Sequence, residues 1–274
     1  WIMAYSSIDD PAQYFNTKLY TGNATNPTTI SGIGFQPDWV WTKGRSTAEG
    51  HRLCDSVRGA TKDLLSNNNA AESTNTIGLK SFNSDGYVIG NSNGYNLNSA
   101  TFVSWNWLAG GSASSNSDGS ITSSVSANTT AGFSIVSYTA TGSNATVGHG
   151  LGSAPQLVII KDRDVIRDWI TGDTATGFEK YLLLNSNDAS TTSSNKFQDT
   201  APSSSVITIG THGYVNNSGS DYIAYCFAEK KGYSKIGSYT GNGSTDGTFI
   251  YTGFHVRWVL IKRTNGTNGW YIYD

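Results

Sequence analysis

The chain has 274 residues, a net charge of −2 and only 14% charged residues. Its 18 lysines and arginines are scattered, which excludes the clustered basic surface that binds nucleic acid or an anionic membrane. Apolar runs reach only about five residues, too short for a membrane span. With 31 glycines, 15 tyrosines and one methionine, the composition predicts an all-β protein with many turns.

An apolar stretch that ends in lysine occurs three times, as GIGFQPDWVWTKGR, GLGSAPQLVIIKDR and GFHVRWVLIKR. The lysines lie 118 and then 101 residues apart, at Lys43, Lys161 and Lys262. The same two offsets relate Tyr20, Tyr138 and Tyr239, then Asp55, Asp173 and Asp274, and also Trp169 and Trp270, for which the first copy has His51. Agreement at independent positions indicates tandem repeats.

These offsets predict the domain organisation. The first repeat covers residues 12–111, the second covers 112–232, and residues 233–274 form an incomplete third repeat. Residues 1–11 resemble the strand that closes a repeat. Two interpretations follow: the array is longer than this chain, or this strand completes the third repeat of a neighbouring copy by β-augmentation.

Within a repeat the pattern is that of antiparallel strands. FSIVSYTAT alternates apolar and polar residues, whereas QLVIIK is continuously apolar and indicates a central strand buried on both faces. Asn-Gly and Asp-Gly turn signals separate such runs. We therefore predict tandem antiparallel β-sandwiches of jelly-roll or lectin-like type. The low-complexity residues 110–132 leave open a flexible linker or a short strand near Ile121 and Val125.

Motifs for catalysis or cofactor binding are lacking. The histidines have no metal-ligand spacing, and no phosphate-binding or dinucleotide loop precedes a helix. Acidic turns such as NSDG favour ordinary turns over calcium sites, because they lack the ligand spacing of an EF-hand. Cys54 and Cys226 lie in apolar stretches and are predicted to be buried free thiols. We expect no enzyme activity and no cofactor.

Two sets of residues are the candidate functional positions. In the first, a repeated lysine and a repeated aspartate could meet across a hairpin as a strand-end ion pair, or the aspartate could cap a turn; both are favoured over a catalytic carboxylate. These are Lys43, Lys161 and Lys262, with Asp55, Asp173 and Asp274. In the second, tryptophans either stack on sugar rings at the surface or belong to a core between repeats. These are Trp39, Trp41, Trp105, Trp169 and Trp270.

The amino-acid sequence of the repeats resembles that of a known family. AYSSIDDPAQYFNTKLYTGN, DSVRGATKDLLSN, FVSWNWLAGG and GYSKIGSYTGNGSTDGTFIYTGF are similar to repeats of virion proteins encoded by tailed phages of marine and freshwater bacteria. The similarity runs nearly end to end, although this chain ends inside its third repeat. Members of that family are described as structural or tail-fibre-like proteins that carry a domain of unknown function, and no catalytic residues transfer from them.

The resemblance implies a virion or extracellular structural protein, a tail or head fibre or a decoration protein that contacts the host surface. Its expected partners are other copies of itself, other virion proteins and a host surface glycan. Two alternatives stay open. One is a subunit of an extracellular filament or adhesin of an aquatic microbe, assembled by strand exchange. The other is a carbohydrate-binding or depolymerising module.

Overall fold

The computed structural model describes residue 6 and residues 8–274. It is built of antiparallel sheets with three one-turn helices, so the predicted all-β fold is confirmed. No helix of the described residues has both the length and the apolar character to cross a membrane.

The first repeat is a two-layer sandwich. Its strands are β1 Phe15–Thr21, β2 Thr28–Ser31, β3 Trp39–Gly44, β4 Arg52–Asp55, β5 Lys62–Leu65, β6 Ser73–Thr74, β7 Leu79–Asn83, β8 Gly86–Ile89 and β9 Thr101–Trp107, with helix α1 Asn93–Asn96 and a short 3-10 turn at Pro11–Gln13. The large sheet has the order β1-β9-β3-β4-β5-β6, and the small sheet has the order β2-β8-β7. Apolar residues of both sheets, including Ile30, Val40, Cys54 and Tyr87, fill the space between them.

The second repeat follows the same plan. Its strands are β10 Ser114–Asn116, β11 Ser123–Asn128, β12 Phe133–Thr139, β13 Ala145–Gly148, β14 Leu157–Asp162, β15 Ile170–Asp173, β16 Lys180–Leu183, β17 Thr191–Thr192, β18 Val206–Ile209 and β19 Asp221–Phe227, with helices α2 Ser194–Phe197 and α3 Gly213–Asn216. The large sheet is β10-β11-β12-β19-β14-β15-β16-β17, and β13-β18 is the small one. Val136, Val158, Ile207 and Cys226 belong to the core between them.

Residues 110–132 are not a flexible linker. The short strand that the sequence left open is present as β11, and it pairs along its length with β12. Val125 and Ile121 are both buried in the second sandwich. Their burial provides the apolar contact that a polar, serine-rich strand needs in order to stay in the sheet.

The third repeat contributes one hairpin, β20 Val259–Lys262 and β21 Trp270–Tyr273. It corresponds to β3–β4 and to β14–β15. In the two sandwiches a closing strand, β9 or β19, lies between β1 or β12 and the strand that carries the repeated lysine, β3 or β14. The structure describes no strand in 235–258 and no closing strand beside β20. The predicted closing strand within residues 1–11 falls mainly on residues outside the described part.

Both cysteines are free and fully buried, as predicted. They belong to different sandwich cores, because Cys54 lies in the first and Cys226 in the second. Burial raises the pKa of the Cys226 thiol to about 12 and that of Cys54 well above its ordinary value. A thiol held in its neutral form in a packed core has a structural role.

Candidate functional site at the repeat junctions

The large sheets of the two sandwiches and the third hairpin face one another across a third apolar core. This central core draws on all three repeats and is rich in aromatic residues. Trp39 of the first repeat stacks on Tyr225 of the second, with ring centroids 4.3 Å apart. Trp258 of the third meets Trp107 of the first edge to face at 5.4 Å. Such pairs add to the burial of large apolar area, so the core joins the repeats into one body.

The candidate tryptophans belong to this central core, which is the second of the two alternatives, and the first alternative, stacking on sugar rings at the surface, is wrong for four of the five. Their exposed fractions are 1% for Trp39, 2% for Trp41, 4% for Trp105 and 0% for Trp169, and Trp270 is half-buried. Their ring faces contact other side chains and cannot stack on a sugar. The signal was present in the sequence, because the WVW run on β3 is apolar at successive positions and so indicates burial on both faces.

The tryptophan that recurs with the offset of 101 residues makes the same bond at each junction. Trp169 of the second repeat donates from Nε1 to the carbonyl oxygen of Leu65 in the first repeat at 2.9 Å. Trp270 of the third repeat donates to the carbonyl oxygen of Leu183 in the second at 2.8 Å. Leu65 and Leu183 are themselves 118 residues apart. Donor and acceptor therefore both repeat, and the two junctions share one geometry.

The repeated lysine has the same role. Lys161 donates from Nζ to the carbonyl oxygen of Asn69 at 3.4 Å, and Lys262 donates to that of Asn187 at 3.1 Å. Both acceptors lie in the preceding repeat, at positions 118 residues apart. Lys161 and Lys262 thus each contact a backbone carbonyl of the preceding repeat.

Two backbone hydrogen bonds also recur at both junctions. In the first junction Arg167 N donates to Asn69 O at 3.0 Å and Glu72 N donates to Arg163 O at 2.8 Å. In the second, Asn268 N donates to Asn187 O at 2.8 Å and Ser190 N donates to Thr264 O at 2.8 Å. All these residues keep the offsets of 118 and 101. Because backbone bonds need no particular side chain, the junction persists where the sequences of the repeats differ.

A buried charge network strengthens the first junction. Arg58 and Asp55 form an ion pair in which neither side chain is exposed. Glu72 contacts Arg58 at 3.0 Å and also Arg163 of the second repeat at 3.0 Å. Burial opposes ionisation of Glu72, but the hydrogen bond from Arg163 and the charge of Arg58 outweigh it and hold the pKa of Glu72 below its ordinary value. Charge-assisted bonds of this kind are stronger than neutral ones.

The repeated aspartates do not pair with the repeated lysines. In the ladder of β3 and β4, Asp55 is opposite Trp39, whereas Lys43 lies at the other end of β3. The predicted ion pair is therefore wrong for this hairpin. Instead, Asp55 accepts from the backbone N–H groups of Val57 and Arg58.

The equivalent of Asp55 in the second repeat caps its own turn in the same way. Asp173 accepts from the backbone N–H groups of Ala175 and Thr176 and also from the Thr176 hydroxyl. The short side chain of an aspartate suits this role, because it reaches the N–H groups two and three residues ahead.

The third copy of the aspartate closes a ring. Tyr225 on β19 donates to Asp55 Oδ2 at 2.7 Å, from the second repeat to the first. Trp105 holds the corresponding place on β9, opposite Trp41 in the ladder, and donates to Asp274 Oδ2 at 3.0 Å, from the first repeat to the third. Tyr225 thus bonds to the repeat that precedes its own. Trp105 follows the same rule if the third repeat is counted as the one that precedes the first. The three repeats thus surround the central core in cyclic order.

The junction between the third and first repeats differs from the other two. Lys43 donates within its own repeat, to Glu49 O at 2.6 Å and Thr47 O at 3.3 Å. His51, which replaces the tryptophan, accepts from Trp41 Nε1 on its Nδ1 at 3.0 Å. Burial, together with the charge of Lys43, lowers the pKa of His51 to about 4. The ring is therefore neutral at pH 7, with its proton on Nε2.

A cavity of about 490 Å³ lies at this third junction. The first repeat contributes Lys43, His51 and Asn67, among others, and the second contributes the segment 184–187. The third repeat contributes Leu260 and residues 269–272. No group of three or more His, Cys, Asp or Glu side chains in the described residues could hold a metal ion.

The family model described as Domain of unknown function (DUF7483) matches residues 10–274 of the chain. No curated protein and no solved structure matches it.

Proposed function

Because the chain belongs to the DUF7483 family, a domain of unknown function, we propose a function from its geometry and from the resemblance of its repeats. It is a non-enzymatic structural protein of a phage virion: a tail or head fibre or a decoration protein that contacts the host surface. The observation that carries the proposal is the repetition of one junction, in which the tryptophan, the lysine and two backbone groups bond alike twice.

A repeated junction suits a structural part. Each repeat is fixed to the next by hydrogen bonds at the rim and by aromatic packing in the centre, with Trp39 against Tyr225 as its clearest contact. Two sandwiches and a hairpin packed around one core have few ways to flex, because interiors pack as densely as organic crystals. Rigidity of this kind is what a virion appendage outside the cell needs. Other copies and other virion proteins are the partners we propose.

Contact with a host glycan would use other side chains than the tryptophans of the central core. The third repeat exposes 87% of Phe249, 69% of Tyr251 and 61% of Tyr273. Aromatic rings at the surface offer faces on which sugars stack, and the tyrosine hydroxyls offer hydrogen bonds. We propose these residues as the host-facing surface, in place of the buried tryptophans.

Electron microscopy of native particles tests the virion role. An antibody raised against the chain should label capsids or tails in purified particles, and averaged density should fit the two sandwiches and the hairpin around their filled centre. A pre-immune serum is the matched control. Label confined to filaments that carry no capsid, or to host cells before infection, would overturn the proposal.

One observation favours a second candidate, a subunit of an extracellular filament or adhesin that assembles by strand exchange. In the part of the chain that the structure describes, β20 pairs only with β21, whereas β3 and β14 each have a closing strand on their other side. The free edge of β20 could accept a strand from another copy. Light scattering tests the exchange: growth of mass with concentration supports it, and a constant monomer mass excludes it.

A further inference from the structure

Lys43 and His51 correspond to residues that bond to the preceding repeat at the other two junctions, but they make no such bond in the described structure. At the second junction Lys262 donates to Asn268 O in its own repeat and to Asn187 O in the preceding one. Lys43 keeps the first of these bonds, to Glu49 O, since Glu49 corresponds to Asn268 by the two offsets. Its other bond goes to Thr47 O beside it. No described residue of another repeat accepts from Lys43.

His51 likewise has a donor group at the position of the tryptophan Nε1–H. Trp169 and Trp270 use their Nε1–H to bond the carbonyl of a leucine in the preceding repeat. Since His51 accepts on Nδ1 from Trp41, its Nε2 carries the hydrogen and can serve as the corresponding donor. The structure gives this Nε2–H no acceptor among the described residues. A carbonyl oxygen in front of it would complete the pattern seen at the other two junctions.

The opposite wall of the cavity is the edge of β21 that has no partner strand among the described strands. At the second repeat β15 pairs with β16, with Ile170 opposite Leu183. Tyr271 on β21 corresponds to Ile170, and β21 pairs only with β20 among the described strands. The cavity is lined by Gly269–Ile272 on this side and by Lys43 and His51 on the other. A strand of the β16 type, added to β21, would lie between the two walls.

We propose that this cavity is a docking groove for a strand and loop with the pattern of residues 62–72 (KDLLSNNNAAE) and 180–190 (KYLLLNSNDAS). The occupant is the segment that follows a hairpin of the β20–β21 type in a complete repeat. Its strand forms a ladder with β21, its leucine carbonyl accepts from His51 Nε2, and its loop carbonyl accepts from Lys43. The proposal follows from continuity with the two filled junctions and is independent of the virion role.

A peptide-binding experiment on the full chain tests the groove. A fluorescent peptide KYLLLNSNDAS should bind saturably in an anisotropy titration, while a scrambled peptide should not. In amide exchange, the bound peptide should slow the amide of Ile272, which corresponds to Thr171 on the β16-facing side of β15. Lys43→Ala should weaken binding about tenfold, because a hydrogen bond from a charged donor is lost. Lys80→Ala removes an exposed lysine on β7, in the small sheet of the first repeat, and should leave binding unchanged.

Three results would overturn the proposal. The first is no saturable binding to the wild-type chain. The second is binding that Lys43→Ala and Lys80→Ala affect alike. The third is protection at β15 and not at β21, which would mean that the peptide replaces β16 at the junction already filled. The exchange measurement uses the wild-type chain, so the test does not depend on whether the Lys43 variant folds.

Discussion

The hydroxyl of Tyr225 donates to Oδ2 of Asp55 at 2.7 Å, and the two residues are 170 positions apart in the sequence. Both side chains are buried. The same carboxylate caps its own turn and pairs with Arg58, which in turn reaches Tyr225 at 3.4 Å. One aspartate thus combines a local task with a contact that holds the first two repeats together.

Removing this hydroxyl should destabilise the chain. Tyr225→Phe leaves Asp55 with one bond fewer in a fully buried site, and we expect the free energy of unfolding to fall by about 1 to 3 kcal/mol. Urea denaturation followed by tryptophan fluorescence measures the change. Tyr239→Phe is the matched control: it is 50% exposed, and its hydroxyl has no partner among the described residues. It should shift the free energy of unfolding by less than about 0.5 kcal/mol. Equal effects of the two variants would contradict the role given to Tyr225.

Replacing each of the two junction tryptophans should lower the free energy of unfolding by a different amount, although their hydrogen bonds match. Trp169→Phe removes a donor and volume from a fully buried site, and we expect a loss of about 2 to 4 kcal/mol. Trp270→Phe removes the same bond from a half-buried site, so its loss should be about half as large. Thermal or urea unfolding of the two variants side by side checks the order. A larger loss at Trp270 would show that the second junction carries more of the stability than its burial indicates.

Acid should destabilise the chain through its buried and half-buried histidines. Burial lowers the pKa of His51 to about 4 and also lowers those of His149 and His212. The unfolded chain takes up protons below about pH 6.5, whereas the folded chain does so only at lower pH, so stability is full above pH 6.5 and falls as the pH drops towards 4.

For His51 the loss should reach about 3 kcal/mol at pH 4. Unfolding measured from pH 7 to pH 4 checks this. His51→Gln should flatten the curve over that range, and His255→Gln, at an exposed position, should keep the wild-type slope. Identical slopes for all three proteins would exclude His51 as a source of the acid sensitivity.

The two thiols should resist modification in the folded chain. Burial in separate cores raises the pKa of Cys54 and Cys226, and the thiolate is the reactive form. We expect no reaction with a thiol reagent at pH 8 in buffer and full reaction of both residues in denaturant. Mass spectrometry after a timed pulse gives the extent of labelling. Rapid labelling of either residue in buffer would mean that its sandwich opens locally.

Much of this architecture follows from local sequence patterns. The offsets of 118 and 101 residues identified the equivalent lysines and aspartates, and alternating runs predicted the strands. The closed arrangement of the repeats did not follow, because it depends on contacts such as that of Trp105 with Asp274, which no local pattern encodes. The placement of the tryptophans stayed open between a surface and a core for a different reason. The residue type alone does not distinguish a tryptophan at a sugar-binding surface from one in a core. Only the unbroken apolar run of β3 indicates the core.

The bond between Trp105 and Asp274 spans 169 residues, the whole distance from the first repeat to the third. A contact of such range forms only after the chain between has been ordered, since closing a long loop costs entropy before it yields any contact. Docking of the last hairpin should therefore be a late event in folding, and the speed of the entire process should depend on it. A circular permutant that places β20 and β21 ahead of β1 would shorten this loop but lengthen the separation of Trp270 from Leu183, now 87 residues, so the hairpin should dock first on the first repeat, with the same final contacts.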